Sequence, residues 1–353
     1  MIGRLPKAAQ WGLLAALSAA ISAALLALDF PAALLLGPMF AGIALGTRGA
    51  EVSVSSKAWV LAQAVIGCMV ANTITAEIGR EFLAHWPLFL AAIFATLLVS
   101  AALGAGLSRT ARSLPGTTAI WGVTPGAATA MVVMAEAYGA DVRLVAFMQY
   151  LRVIFVALTA AALAHFWLHL QNVAHPPREW FPPLNLGAFA ATLAVACAGT
   201  LIGVYSRIQA GAMLVPMALM IAFHLGLGMT IELPQWLLAA TYALLGWGIG
   251  LRFRRDALRY ALRALPAILF AIFALIAACA ALSWLLTRVT GVDALTAYLA
   301  MSPGGMDTVA IIAAASHVDM PFVMAMQAVR LLVVILFGPK FSAFVAKRMS
   351  APR

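Results

Sequence analysis

The stretch of sequence that decides the fold occurs twice in this chain. Residues 124–152 read TPGAATAMVVMAEAYGADVRLVAFMQYLR, and residues 302–330, 178 positions later, read SPGGMDTVAIIAAASHVDMPFVMAMQAVR. In both copies a Pro-Gly pair is followed by an aspartate, then by a glutamine with an arginine three residues beyond it. Two such copies in one hydrophobic chain are typical of transporters built from two repeats.

The composition indicates a protein of the lipid bilayer. Of the 353 residues, 64% are hydrophobic and 10% are charged, whereas soluble domains have about 45–50% apolar and about 25% charged residues. Several apolar runs reach the roughly 20 residues that cross a bilayer as a helix. The net charge of +10 comes from short loops between these runs, so it indicates membrane topology and not nucleic-acid binding. We therefore expect an all-α, polytopic membrane protein surrounded by lipid, with no nucleic-acid partner.

The apolar segments fall into two matching sets of six. The first set lies at 11–28, 31–46, 58–75, 86–108, 117–138 and 144–170, and the second at 186–205, 211–228, 236–251, 265–287, 294–316 and 321–345. Pro38-Met39 matches Pro216-Met217 at the same 178-residue offset, which argues for duplication. The sequence thus predicts a transmembrane repeat at 1–170, a polar linker at 171–184 and a second repeat at 185–353.

Basic residues between the segments decide the orientation of the repeats. If the N-terminus lies in the cytoplasm and all twelve segments cross, one group of arginines lies outside, against the positive-inside rule. This arginine cluster consists of Arg252, Arg254, Arg255, Arg259 and Arg263. If each Pro-Gly segment enters and leaves on one side, each half crosses an odd number of times, and the cluster lies inside. We therefore predict two inverted repeats, each with a Pro-Gly-interrupted helix that is discontinuous or re-entrant, and both termini in the cytoplasm.

Each Pro-Gly pair predicts the tip of a half-helix. Proline removes a backbone donor and glycine permits backbone shapes that other residues resist. The helix that starts after each pair offers free N–H groups and a positive dipole end, which favour an anion. Two matched breaks favour this interpretation over two ordinary proline kinks. The candidate lining residues are Thr124, Pro125, Gly126, Thr129, Ser302, Pro303, Gly304, Gly305, Asp307 and Thr308.

A polar stripe follows each break. Asp141, Gln149 and Arg152 are spaced eight and three residues apart, close to one face of a helix. The second copy repeats this spacing at Asp319, Gln327 and Arg330. Each aspartate is placed to cap a helix start. Each arginine lies deep enough to cost about 2.5–3.5 kcal/mol on insertion scales, so it needs a partner: a substrate carboxylate, Asp307, Glu136 or the carbonyl end of a half-helix.

Two carboxylates have no counterpart in the other copy. Asp307 stands where the first copy has Thr129, and Glu136 stands where the second copy has Ala314. Because a carboxylate within the membrane is costly, each is a candidate for coupling transport to protons or sodium ions. The alternative is a structural salt bridge from either carboxylate to a buried arginine.

The paired Pro-Gly…Asp…Gln-x-x-Arg pattern resembles the bacterial AbrB-type membrane proteins, whose half-chain unit is called the AbrB duplication. The resemblance covers essentially the whole chain. Family members have been labelled ammonia monooxygenases and transcriptional regulators, but this sequence offers no metal-ligand cluster for an oxygenase and no segment long enough for a soluble DNA-binding domain. A distant similarity to cation:proton antiporters and anion transporters implies inverted repeats with interrupted helices.

These observations predict a secondary transporter of a small organic anion in the bacterial cytoplasmic membrane, driven by protons or sodium, and not an enzyme. Its site is expected between the two Pro-Gly breaks, with Gln149, Arg152, Gln327 and Arg330 as polar support. No metal ion or other cofactor is expected, and a homo-oligomer is plausible. The alternative is a ligand-sensing membrane regulator without transport activity, which would present the arginine cluster to a partner.

Overall fold

Helices form all the regular secondary structure in the part of the chain that the structure describes. This computed structural model describes residues 5–28, 30, 32–110, 116–126, 128–168, 180–181, 183–206, 210–253, 255–304, 309, 313 and 318–350, without the side chains of 110, 116, 157, 160–168, 256–258, 260 and 339–350. The helices are α1 Lys7–Ala27, α2 Ala33–Gly46, α3 Ser56–Asn72, α4 Ala76–Thr110, α5 Gly116–Val123, α6 Ala128–Ala137, α7 Val142–Leu168, α8 Leu186–Tyr205, α9 Gly211–Leu227, α10 Gln235–Gly250, α11 Arg255–Thr290, α12 Ala294–Met301 and α13 Met320–Ser350. The predicted all-α class is confirmed.

Five of these helices contain stretches long and apolar enough to cross a membrane. The stretches are Lys7–Ala27, Ala76–Arg109, Leu186–Tyr205, Ala261–Thr290 and Met320–Gly338. A helix satisfies its own backbone hydrogen bonds, which is the condition for crossing hydrocarbon. The chain is therefore a multi-pass helical membrane protein.

Two helices begin earlier than their apolar sequence predicts. The helix α4 starts at Ala76 and continues through a kink at His85, whereas the predicted segment starts at 86. The helix α11 starts at Arg255, so part of the arginine cluster lies on a helix and not in a loop. Apolar runs mark the portion of a helix that suits lipid, and a helix can continue beyond that portion with charged residues.

In the described part of the chain, helices of the second half match helices of the first half at the 178-residue offset. The helices α5 and α12 each have eight residues, and their bounds match at this offset. The backbone repeats the same detail at Ala32 and Ala210, which precede α2 and α9 with φ angles of 56° and 55°. These are the non-glycine residues with positive φ in the described part of the chain, and left-handed alanine is uncommon. The duplication therefore extends to local backbone geometry.

The helices form two compact units, and each unit contains helices from both halves of the sequence. The first unit combines Met1–Ile74 with Pro177–Tyr260, and the second combines Thr75–Pro176 with Ala261–Arg353. The first unit thus holds α1 to α3 with α8 to α10, and the second holds α4 to α7 with α12, α13 and most of α11. All the described candidate site residues belong to the second unit.

In the first unit, glycines let helices of opposite halves approach closely. A Cβ atom on Gly246 of α10 would lie 2.7 Å from the carbonyl oxygen of Leu35 on α2. In the matching pair, a Cβ atom on Gly67 of α3 would collide with the carbonyl oxygen of Met213 on α9. Only glycine permits these backbone contacts, so the two halves pack through equivalent surfaces.

In the second unit, α5 contacts α4, α7 and α13, and α12 contacts α13. Buried aromatic rings join α4 to α13, where Phe89 and Phe322 meet edge to face at 5.1 Å. The side chains of Trp121 and Ile120 on α5 are almost fully buried. This packing holds the two short helices α5 and α12 alongside the long helices that carry the polar stripes.

Candidate functional site

The start of each long helix is hydrogen-bonded to the eight-residue helix of its own half, α7 to α5 and α13 to α12. The hydroxyl oxygen of Thr118 on α5 accepts a hydrogen bond from the backbone N–H of Asp141 at 3.1 Å. In the second copy, Thr296 on α12 accepts from the N–H of Asp319 at the same distance. These two contacts set the register of α7 along α5 and of α13 along α12.

The aspartates cap the long helices, as the sequence predicted. The Asp319 carboxylate accepts from the N–H of Phe322 at 3.0 Å. The Asp141 carboxylate accepts from the N–H of Arg143 at 3.0 Å and from its guanidinium at 2.7 Å. Burial raises the pKa of Asp141, but the hydrogen bonds and charge of Arg143 outweigh it, so this pKa lies below its ordinary value.

Each Pro-Gly pair lies where a short helix ends. The helix α5 ends at Val123 and α6 begins at Ala128, while α12 ends at Met301. In a continuous helix, the carbonyl of Trp121 would accept from residue 125 and the carbonyl of Leu299 from residue 303. Both of those residues are proline, which has no N–H group, so each proline deprives one buried carbonyl of its helical donor.

The two glutamines replace the donors that the prolines lack. Gln149 on α7 donates from Nε2 to the carbonyl oxygens of Trp121 at 2.7 Å and Thr124 at 3.0 Å. Gln327 on α13 makes the equivalent contacts to the carbonyl oxygens of Leu299 at 2.8 Å and Ser302 at 3.1 Å. Each glutamine therefore closes the carbonyl end of a short helix.

The two arginines complete these carbonyl clusters. Arg152 donates to the carbonyl oxygens of Thr124 at 2.8 Å and Gly126 at 3.2 Å. Arg330 donates to the carbonyl oxygen of Ser302 at 3.0 Å and, from Nη2, to Oε1 of Gln327. Both side chains are buried, with 1% and 3% of their surface exposed. The sequence left several partners open for each arginine, and the described contacts are to one of them, the carbonyl end of a short helix.

The two clusters lie close together in the second unit. A Cβ atom on Gly304 would lie 3.0 Å from the side chain of Val156, which is four residues beyond Arg152 on α7. Arg152 and Arg330 are near enough to interact as like charges, and Cys279 on α11 is in electrostatic range of both. The second Pro-Gly segment thus packs against the helix that carries the first stripe.

Among the described residues, the clusters carry excess positive charge. The ion pairs of the described residues are Arg143 with Asp141 and His85 with Glu81, so neither buried arginine has a carboxylate partner within that part of the chain. A helix carbonyl end carries roughly half a negative charge. Two such ends offset only about half of the charge of two guanidinium groups, which leaves an environment that favours an anion.

The remaining candidate residues are placed as follows. Pro125, Gly126, Pro303 and Gly304 are buried, as are Thr124 and Ser302. The Thr124 hydroxyl donates to the Ile120 carbonyl at 2.7 Å. Thr129 is half-buried in the first turn of α6, and Glu136 lies half-buried near its other end, about 12 Å along the axis from Ala128. Gly305, Asp307 and Thr308 lie outside the described residues.

Sequence reasoning gave the carbonyl end of a half-helix as one possible arginine partner, but it missed which carbonyls the glutamines and arginines contact, and it missed the two threonines that anchor the long helices. A carbonyl group is common to every residue, so its role as an acceptor leaves no trace in composition. The threonines were detectable, because Thr118 and Thr296 match at the 178-residue offset and each lies 23 residues before the aspartate it contacts.

A separate cavity of about 700 Å³ lies in the first unit. It is lined by the C-terminal end of α2 and the residues that follow, including Thr47, Glu51 and Ser53, and by Arg255. Arg255 donates from Nε to the Thr47 carbonyl at 3.1 Å. Beside it, the guanidinium of Arg252 lies 5.3 Å from the centre of the Trp59 ring.

The fold and the site together define a class: a multi-pass helical membrane protein with a duplicated cluster of buried glutamine, arginine and main-chain carbonyl groups. Comparison with known proteins gives the family. Residues 34–346 match the family described as "Transition state regulatory protein AbrB". The chain is also 48% identical over 338 residues to "Putative regulator AbrB" of Escherichia coli (strain K12), which covers 96% of this chain and 97% of that protein. The chain belongs to the AbrB family, as its paired motifs predicted.

Proposed function

We propose that this protein is a secondary transporter of a small organic anion, which crosses the membrane without chemical change. The substrate site lies beside the carbonyl clusters that follow α5 and α12. Arg152 and Arg330 attract the anion, and the Pro-Gly segments, with the N-terminus of α6 that follows the first of them, contribute N–H groups to it. Alternating access results from movement of one group of helices against another.

The observation that carries this proposal is the pair of buried guanidinium groups whose described partners are uncharged. Burying a charge without an opposite partner is expensive. The glutamines already donate to the carbonyls of Thr124 and Ser302, to which the arginines also donate, so closing these two carbonyls does not itself require a charged group. The retained positive charge is explained if an anion occupies the site during part of the cycle.

Coupling to protons or sodium ions follows from the two unmatched carboxylates. Asp307 lies four residues after Pro303 in the sequence, so it is our candidate for the coupling group, with Glu136 as the second. Binding of a cation at the carboxylate and of an anion at the arginines would then proceed together, because each offsets the charge that the other brings.

The repeats are inverted in this proposal, and the Pro-Gly segments form discontinuous or re-entrant helices in the bacterial cytoplasmic membrane. The helix bounds that recur at the 178-residue offset support a duplication. The basic residues support inversion with both termini in the cytoplasm, since inversion brings the arginine cluster to the cytoplasmic side.

The test is uptake of radiolabelled carboxylates into liposomes that contain the purified full-length chain. We expect uptake that depends on an imposed proton or sodium gradient, and that Asp307→Asn abolishes this dependence while anion binding persists. Protein-free liposomes provide the background. Absence of gradient-dependent uptake across a broad panel of mono- and dicarboxylates would contradict the transporter assignment.

A second candidate function is a ligand-sensing regulator, and the cavity of the first unit favours it. This cavity lies beside the arginine cluster, which would be the contact surface for a cytoplasmic partner. A regulator would bind a ligand without moving it across the membrane. Binding that saturates in detergent, with no uptake in liposomes under any gradient, would select this alternative.

A further inference from the structure

The two polar clusters differ at the amide oxygen of the glutamine. In the second copy, Oε1 of Gln327 accepts a hydrogen bond from Arg330. In the first copy, the corresponding nitrogen of Arg152 is directed to the Gly126 carbonyl. Oε1 of Gln149 consequently has no hydrogen-bond partner among the described residues, although Gln149 is fully buried.

Three more buried polar atoms of the same clusters also lack a partner within the described part of the chain. They are Nε of Arg152, Nε of Arg330 and the hydroxyl oxygen of Ser302. An unsatisfied buried polar group costs about 1–3 kcal/mol, and native structures contain few of them. Four in two neighbouring clusters indicate a place where a bound molecule supplies the missing hydrogen bonds.

The types of these atoms describe the molecule that fits them. The two arginine N–H groups can only donate, so they require acceptors such as carboxylate oxygens. The Gln149 amide oxygen can only accept, so it requires a donor on the same molecule. An ammonium donor would be repelled by the two guanidinium groups, whereas a hydroxyl group is neutral and can also accept from Ser302.

We propose that the substrates are hydroxy-carboxylates, and that Gln149 selects them by accepting a hydrogen bond from the substrate hydroxyl. This inference rests on the anion site proposed above and specifies its chemistry. Gln149 is then the determinant of specificity. Gln327 is its structural counterpart, because its own amide oxygen is occupied by Arg330.

The test compares acids that differ by one hydroxyl group. Lactate is paired with propionate, and malate with succinate, in competition binding to the purified full-length chain and in uptake into liposomes. A buried acceptor that is left unpaired discriminates strongly against the analogue without the hydroxyl. We expect the hydroxy acid of at least one pair to bind about tenfold or more tightly than its partner, a difference of about 1.4 kcal/mol.

Three variants connect the preference to the amide oxygen. Gln149→Leu is expected to reduce the ratio of the two affinities to within about twofold. Gln149→Glu loses the donor to the helix carbonyls and adds a negative charge, so it weakens binding of both acids, but it retains an acceptor oxygen and therefore the preference. Gln327→Leu removes the same kind of contacts to helix carbonyls, so it lowers both affinities but leaves their ratio unchanged. Size-exclusion profiles confirm that each variant is folded.

The outcomes separate this inference from the proposed function. If neither acid of any pair binds or enters the liposomes, the anion site itself is wrong and the inference fails with it. If the acids bind and enter the liposomes but the wild-type affinity ratio is near one, the transporter stands and the role of Gln149 is refuted, as expected if only water satisfies its oxygen. A preference that survives in Gln149→Leu refutes that role equally.

Discussion

Replacement of Arg152 by leucine separates the structural role of this arginine from its role in binding. Arg152 donates to the carbonyls of Thr124 and Gly126. The Thr124 carbonyl keeps the hydrogen bond from Gln149 at 3.0 Å, so only the Gly126 carbonyl loses its described donor. One unsatisfied buried carbonyl costs about 1–3 kcal/mol, partly offset because a buried charge is removed. We therefore expect Arg152→Leu to fold.

The same substitution should have a large effect on anion binding. A hydrogen bond from a charged group contributes about 1.5–3 kcal/mol, which corresponds to an increase in Kd of about 10- to 150-fold. Binding to the detergent-solubilised protein is measured by competition, and folding by size exclusion and thermal unfolding. The matched control is Arg288→Leu, because Arg288 is exposed near the end of α11 and contacts the ring of Trp284.

A specific result would refute this reasoning. If Arg152→Leu binds the anion as tightly as wild type while its unfolding temperature falls, the arginine serves only to close α5. If Arg288→Leu weakens binding as much as Arg152→Leu does, the effect reflects the overall charge of the protein and not a site.

Three further predictions concern stability, measured by thermal unfolding in detergent. Gly246→Ala should destabilise the protein by about 2 kcal/mol or more, because α2 and α10 must separate. The control Gly12→Ala, whose Cβ meets nothing within 4 Å, should stabilise its helix by about 0.5–1 kcal/mol. Equal changes in unfolding temperature for the two variants would contradict the close packing of α2 against α10. The lowered pKa of Asp141 predicts a contribution to stability that is fully present above about pH 4 and is lost as the pH falls further through the folded-state pKa. Asp141→Asn should remove this acid dependence of the unfolding temperature, and an unchanged pH dependence would refute the stabilising role of the Asp141 carboxylate. Thr118→Val and Thr296→Val should each cost about 1–2 kcal/mol, and the double variant should show the sum, whereas a loss at only one position would argue against equivalent anchors.

The sequence was sufficient for the helices and their duplication because both depend on hydrophobicity and spacing. The predicted segment at 186–205 coincides with α8, since its ends are marked by polar residues. The start of α4 was predicted ten residues too late, because Glu77, Arg80 and Glu81 resemble a loop although they continue the helix. Charged residues therefore indicate where a helix leaves the lipid, and the helix itself can continue beyond that point.

The sequence named the residues of the candidate site, which stay predictions, and it left the partner of each buried arginine open among several groups. Gln149 and Arg152 were identified by their depth in an apolar segment. Their acceptors are main-chain carbonyls, which every residue carries. One step was open to sequence reasoning: a proline in a helix leaves the carbonyl four residues before it without a donor, and the recurrent interval from Pro125 to Gln149 and from Pro303 to Gln327 indicates which side chain supplies it.

The interleaving of the two halves has a consequence for the origin of the chain. Each compact unit contains three or more helices from the first half of the sequence and three from the second half. An ancestor of half this length would have carried the pieces of both units and completed neither of them alone. A chain of that length could bury its helix faces only by associating with a second copy of itself, so joining the two halves in one chain keeps the two sets of helices together.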